Sequence, residues 1–131
     1  MKFNTLTPNL MVENVNKTVE YYQNVLGFTL LRTVPESGSF DWAMVKRNDV
    51  VLMFQSKKSL SGEMPLFKTQ NPGGGLTLYV RVEGVHELYY DLNETAEIVS
   101  DLEDTFYGTT EFSITDLNGY VLTFSEEATT S

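Results

Sequence analysis

The stretch NDVVLMFQ, residues 48–55, returns seventy positions later as NGYVLTFS, residues 118–125. In both, an Asn opens a tight turn, and alternate residues are then apolar, the two-residue period of a half-buried strand. Leu52 and Phe54 share one face, as do Leu122 and Phe124. The other face holds Val51, Met53 and Gln55 in the first stretch, and Val121, Thr123 and Ser125 in the second. The same offset carries Leu6-Thr7 onto Leu76-Thr77, Val12-Glu13 onto Val82-Glu83 and Val15 onto Val85. Alternation fixes the parity of such a match but not its length. A match that runs from the first strand to the last with no net insertion therefore reads as a duplicated unit.

Working outward, each copy reads strand, helix, strand, strand, strand. In the first copy Leu6, Leu10 and Val12 alternate with Thr7, Asn9 and Met11. Val15, Val19, Tyr22 and Leu26 then form one helical stripe, which Asn14 or Asn16 can cap. Gly27 supplies the left-handed residue that ends this helix, and FTLLRTV, FDWAMVKR and DVVLMFQS follow as strands. By the offset, Trp42 and Met44 fall on Phe112 and Ile114 and share their helix-facing side, unless a bulge near Asp41 reverses them. The second helix carries Val85, Leu88, Tyr89 and Leu92. It has Glu97 where the first has Gly27, so it leaves through Asn93-Glu94-Thr95. AEIVSDL, TEFSITD and YVLTFSE complete the copy. The expected architecture is α+β: one domain of two tandem βαβββ units, residues 1–55 and 76–127. The polar, Gly-rich segment 56–75 is expected to be a mobile linker with a turn around Met64–Phe67.

Composition narrows the function classes. The 131 residues suffice for one core, and 41% hydrophobic with 12% aromatic content argues against disorder. With no cysteine, disulfides, thiolate nucleophiles and Cys-based metal sites are excluded, which suits a reducing cytoplasm. No signal-peptide pattern opens the chain, and no apolar run spans a bilayer. A net charge of −9 disfavours nucleic acid and anionic membranes as partners. It gives either plain solubility or a mild attraction for a cationic ligand.

NLMVENVNKTVEYYQNVLGF, near the start, resembles the opening signature of the vicinal oxygen chelate superfamily, which includes glyoxalase I, extradiol dioxygenases, and fosfomycin- and bleomycin-resistance proteins. TFYGTTEFSITDLNGYVLTFSEE is similar to its closing signature, with Leu117 in place of the usual proline and Asp116, Asn118 and Gly119 keeping the turn chemistry. The resemblance covers nearly the whole chain except the linker. It implies that the units pair into a curved mixed sheet with helices on the convex face and a ligand cavity on the concave one. It also implies a homodimer. Metal-using members place His or Glu at positions that here hold Thr7, Met53, Thr77 and Thr123. A threonine hydroxyl or a thioether is a poor ligand for zinc, iron or nickel.

The single histidine makes the same point independently, since a two-His-one-carboxylate site cannot be built from it. His86, at the start of the second helix, reads as a solvated helix-end residue. A carboxylate-only Mg²⁺ or Ca²⁺ site through Asp41 or Glu111 stays open, and no cofactor is expected. Two readings follow. The first is a metal-independent cytoplasmic binding protein that sequesters an aromatic or cationic small molecule, such as an antibiotic. Its candidate contacts are Asn9, Met11, Trp42, Met53, Phe67, Tyr79, Arg81, Tyr107 and Thr123. Phe67 and Tyr107 are expected in loops, where they either close over a ligand or seal the core edge. The alternative is a metal-free or weakly metal-dependent lyase or isomerase with Glu111 as general base. Glu111 also reads as an exposed strand acid or a partner for Arg81.

Overall fold

The computed structural model describes residues 1–128. It divides into two units, Met1–Pro72 and a second beginning at Gly73. The first contains β1 (Asn9–Val12), α1 (Val15–Asn24), β2 (Thr29–Val34), β3 (Trp42–Arg47), β4 (Val50–Ser56) and α2 (Lys57–Glu63). The second contains β5 (Thr77–Arg81), α3 (Val85–Leu92), β6 (Glu97–Asp104), β7 (Thr109–Thr115) and β8 (Val121–Glu127). Each unit is βαβββ and folds into one four-stranded mixed sheet, in the orders β1-β4-β3-β2 and β5-β8-β7-β6. The first strand of each unit runs parallel to the last, and the remaining pairs are antiparallel.

Local chemistry explains the helix boundaries. Asn14 caps α1: its side-chain oxygen accepts from the Lys17 amide at 2.9 Å. Asn16 instead ties the helix to the following loop, donating to the Gly38 carbonyl and accepting from the Phe40 amide. At the exit, the Phe28 amide returns to the Tyr22 carbonyl at 2.9 Å, which requires a left-handed residue between them. Gly27 takes that conformation, at φ +70°. Helix α3 ends at Asn93 and makes its exit turn through Thr95 and Ala96 onto the Leu92 carbonyl. Its start has no side-chain cap of its own. Glu126 on β8 reaches across and accepts from the Gly84 and Val85 amides at 3.0 and 3.1 Å.

Each sheet packs one face on its helix. In the first unit Leu10, Ala43, Val45, Leu52 and Phe54 are buried there, and the Tyr22 ring lies 4.7 Å from that of Phe54. In the second, Phe112, Ile114, Leu122 and Phe124 take the same role, and Tyr89 meets Phe112 edge-on at 5.3 Å. Fully burying one such side chain is worth about 1.5–3 kcal/mol.

Three expectations are corrected. The segment 56–75 is not plain linker. Ser56 closes β4 and caps α2 through the Ser59 amide at 3.1 Å. Leu60 is buried, and the turn expected around Met64–Phe67 is present, the Phe67 amide returning to the Met64 carbonyl at 3.0 Å within the 3-10 turn Pro65–Thr69. Polar composition hid a short helix that needs only one apolar anchor. Strand β1 starts at Asn9, so Thr7 precedes it and Leu6 lies 86% exposed instead of in the core. Finally, the offset is not constant. Trp42 pairs with Gln55, whereas the equivalent Ser125 pairs with Glu111. Trp42 therefore stands in the place of Glu111, 69 positions on, and Ala43 in that of Phe112. Beyond the Asp116–Tyr120 backbone bond the β7–β8 turn is Leu117-Asn118-Gly119, one residue more than the tight Asn48-Asp49 turn, and the connection from α1 to β3 has one more than its counterpart. The two differences cancel along the chain and hide each other.

Candidate functional site

In each sheet the face turned away from the helix is free to carry chemistry, and the two open faces differ. In the first unit register places Asn9, Met11, Trp42, Met44, Met53 and Gln55 on that face. Asn9 donates to the Gln55 side chain at 2.9 Å, and Gln55 donates to Ser59 at 3.0 Å. Met11 is buried, and Trp42 and Met53 are half-buried. The four apolar side chains thus share their face with one amide pair. Phe67 sits half-buried on its 3-10 turn.

In the second unit the open face holds Tyr79, Arg81, Glu111, Ser113, Thr123 and Ser125. Glu111 is its centre and only 8% exposed. Oε2 accepts from Tyr79 Oη at 2.5 Å, Thr109 Oγ1 at 2.9 Å and Ser125 Oγ at 3.0 Å. Oε1 accepts from Tyr107 Oη at 2.7 Å. Tyr79 Oη also lies 2.8 Å from Ser125 Oγ, and Thr109 Oγ1 lies 2.8 Å from Thr105 Oγ1. Beside this cluster Ser113 and Thr123 share a hydrogen bond at 2.7 Å. Strand pairing explains the convergence: Thr109, Glu111 and Ser113 alternate along β7, and Ser125 faces Glu111 across the ladder. Tyr79 reaches in from β5 and Tyr107 from the turn that Gly108 closes onto Thr105.

Burial pushes the Glu111 carboxyl up, but hydrogen bonds from Tyr107, Tyr79, Thr109 and Ser125 outweigh it and hold the group below its ordinary value. The Tyr107 hydroxyl is pushed up, first by its bond to Glu111 and then by burial. The site is therefore an ionised carboxylate whose partners are hydroxyls, with no basic group among them.

The expected partner Arg81 turns elsewhere: it meets Glu127 at 3.3 Å in an exposed pair. Glu111 is thus neither an exposed strand acid nor an ion-pair partner. Tyr79, Tyr107 and Glu111 come together, and Thr123 lies next to them. Asn9, Met11, Trp42 and Met53 gather on the other unit's face. Sequence reading missed Thr109 and Ser125 as members of the cluster. The two-residue step from Glu111 carried the signal for Thr109, and the strand pairing of β7 with β8 carried it for Ser125.

The metal positions of the wider fold do not fit a transition metal here. Thr77 and Thr123 share the open face of one sheet, two register steps apart. Thr7 lies ahead of β1, and Met53 offers a thioether. This donor set is wrong for zinc, iron or nickel. Among the described residues no three His, Asp or Glu side chains gather as a metal site would require. Asp41 is exposed, and the Glu111 oxygens are engaged by hydroxyls. Among the described residues no helix is long and apolar enough to cross a membrane.

Comparison with known proteins identifies the fold and the family. No curated protein sequence matches the chain. Among solved structures, TioX from Micromonospora sp. ML1 aligns with a TM-score of 0.73 at 22% identity, over 95% of this chain and 99% of that one. A glyoxalase/bleomycin resistance protein/dioxygenase from Nocardioides gives 0.81 at 15% identity, over 100% and 87%. The bleomycin-binding protein from bleomycin-producing Streptomyces verticillus, complexed with copper(II)-bleomycin, gives 0.65 at 19%, over 99% of both chains. At these identities the likeness is one of fold. The sequence profile of one superfamily matches residues 2–124, nearly the whole chain. The chain belongs to the Glyoxalase/Bleomycin resistance protein/Dioxygenase superfamily.

Proposed function

We propose that this protein is a metal-independent binder of a cationic or aromatic small molecule, an antibiotic among the candidates, and that the Glu111 cluster is its recognition centre. The carrying observation is an ionised, buried carboxylate that is solvated by four hydroxyls and, among the described residues, lacks a basic partner. A buried charge without a counter-charge is costly, and a cation arriving on the open face supplies one. Tyr79 and Tyr107 stand beside it half-exposed, at 51% and 56%, with Phe106 stacked edge-on against Tyr107. Their rings offer faces to a flat or cationic ligand. The overall charge of −9 acts in the same direction at longer range. A homodimer in the cytoplasm belongs to this reading, and sedimentation equilibrium tests the dimer.

The lyase or isomerase reading needs Glu111 to take a proton. Its Oε2 already accepts three hydrogen bonds and its Oε1 one, and hydrogen bonding to the charged form lowers its basicity. Both observations favour an anchor over a base. The deciding experiment is calorimetric titration with a panel of cationic aromatic compounds, paired with product analysis of each mixture. Saturable heat without turnover, lost in Glu111→Gln, supports binding. Turnover that vanishes in Glu111→Gln overturns it in favour of the enzyme.

A further inference from the structure

The hydroxyl protons around Glu111 are all committed inward. An ionised carboxylate has no proton to give, so each bond to it is donated by the hydroxyl. Tyr79 and Tyr107 have one proton apiece; that of Tyr107 goes to Glu111, and that of Tyr79 goes to Glu111 or to Ser125, which itself donates to Glu111. Both residues are half-exposed, and with their protons spent the two hydroxyl oxygens offer a ligand lone pairs only, made electron-rich by the neighbouring anion. Thr109 and Ser125 are buried and show solvent nothing. Among the described residues the only cationic side chain placed on this face, Arg81, is engaged by Glu127. A ligand meeting the two phenols must bring N–H or O–H donors of its own. An anionic head would meet acceptors backed by a negative charge.

Resting on the cation-binding reading above, we infer that the site selects a protonated primary amine or amidine, whose N–H groups donate to Tyr79 Oη and Tyr107 Oη while Glu111 balances the charge from behind without touching the ligand. Glu111 is then a positioning residue: it sets the direction in which two tyrosine hydroxyls point. A plain aromatic cage would behave otherwise, since cation–π attraction needs no donor and accepts a methylated nitrogen equally well.

Three probes with one phenyl group separate the cases: 2-phenylethylammonium, its N,N,N-trimethyl analogue and 3-phenylpropanoate. Binding is followed by titration calorimetry and by shifts of the tyrosine ring resonances. A site built to receive donors rejects an analogue lacking them, so the trimethyl compound should bind at least about tenfold more weakly than the primary ammonium. The propanoate should not bind. Tyr79→Phe and Tyr107→Phe should each weaken the primary ammonium by about five- to tenfold and leave the trimethyl analogue within about twofold, since the ring is kept and the acceptor removed. That split separates loss of an acceptor from a general loss of structure, which would weaken both ligands alike. Equal affinity for the two cations would overturn the donor rule while leaving cation binding intact. Tightest binding of the propanoate, or failure of both cations to bind, would overturn the donor rule and the cation reading together.

Discussion

Removing the Glu111 carboxylate tests the site through stability before any ligand is known. In Glu111→Ala four hydroxyls lose their acceptor. Tyr79 and Tyr107 are half-exposed and can turn to water at little cost. Thr109 retains Thr105, and Ser125 retains Tyr79, so each exchanges a charge-assisted bond for a neutral one. That exchange costs about 1 kcal/mol per group, and the void left by the side chain adds about 1 more, for about 2–4 kcal/mol in all. Glu111→Gln keeps the shape and one acceptor. With its oxygen toward Tyr79, Thr109 and Ser125 and its amide toward Tyr107, it should lose only about 1–2 kcal/mol. For a chain of this length 1 kcal/mol corresponds to roughly 3–5 °C in Tm.

The pH dependence gives the sign. The carboxyl is held below its ordinary value in the folded state, so its contribution is complete above the unfolded pKa, about 4.3, and fades as pH falls through the folded one. Thermal melts of wild type and Glu111→Gln at pH 7 and pH 3 should show the gap shrinking on acidification. If the gap grew, the folded carboxyl would be raised and protonated, and the anchor argument would fail. Indifference of Tm to both substitutions at pH 7 would refute it as well.

Other consequences are simpler to check. Phe54→Ala should cost about 3–5 kcal/mol in chemical denaturation, because the ring is fully buried against Tyr22 and little around it can collapse. Gly27→Ala should cost about 1–2 kcal/mol: a Cβ at φ +70° is strained and would sit 3.3 Å from the Arg47 guanidinium, which donates to the Leu26 carbonyl at 2.8 Å. Glu126 is held below the ordinary carboxylate range, first by the Gly84 amide, then by Val85, with His86 adding to the pull against burial. Its grip on α3 should therefore persist at neutral pH and be released as pH drops through that lowered value, so the Gly84 and Val85 amides should lose hydrogen-exchange protection in acid and in Glu126→Gln at pH 7.

Much of the fold was legible because burial imposes periodicity. The stripe of Val15, Val19 and Tyr22 and the pair Leu52 and Phe54 had to be apolar under a helix, and their spacing reports that directly. Gly27 was legible, and the cap was narrowed to Asn14 or Asn16, because one backbone conformation and one capping bond demand those residue types. Helix α2 was not, since a seven-residue helix held by Leu60 and a serine cap leaves no periodic trace. Nor was the partnership of Glu111. Alternation put it on the open face, but charge pairing suggested Arg81, and only the β7–β8 register and the reach of Tyr79 and Tyr107 show why hydroxyls win.

The slip between β3 and β7 matters because side chains in a strand alternate with a period of two. A change of one in offset transfers a residue to the opposite face. Trp42 was thereby matched to a core phenylalanine when its true counterpart is the carboxylate at the centre of the other sheet's open face. The helix-facing sides of the two units are interchangeable in kind, Ala43 for Phe112 and Val45 for Ile114, since any apolar residue that fills the space beneath a helix serves. The open faces are under no such demand, and there the copies part: Asn9 for Tyr79, Met11 for Arg81, Trp42 for Glu111, Met53 for Thr123. A carboxylate placed at position 42 would face the Gln55 amide with no tyrosine in Tyr79's place, and the penalty for burying it would go uncompensated. The hydroxyls and the acid of the second unit thus work only as a set, one that the packing beneath the helix does not demand.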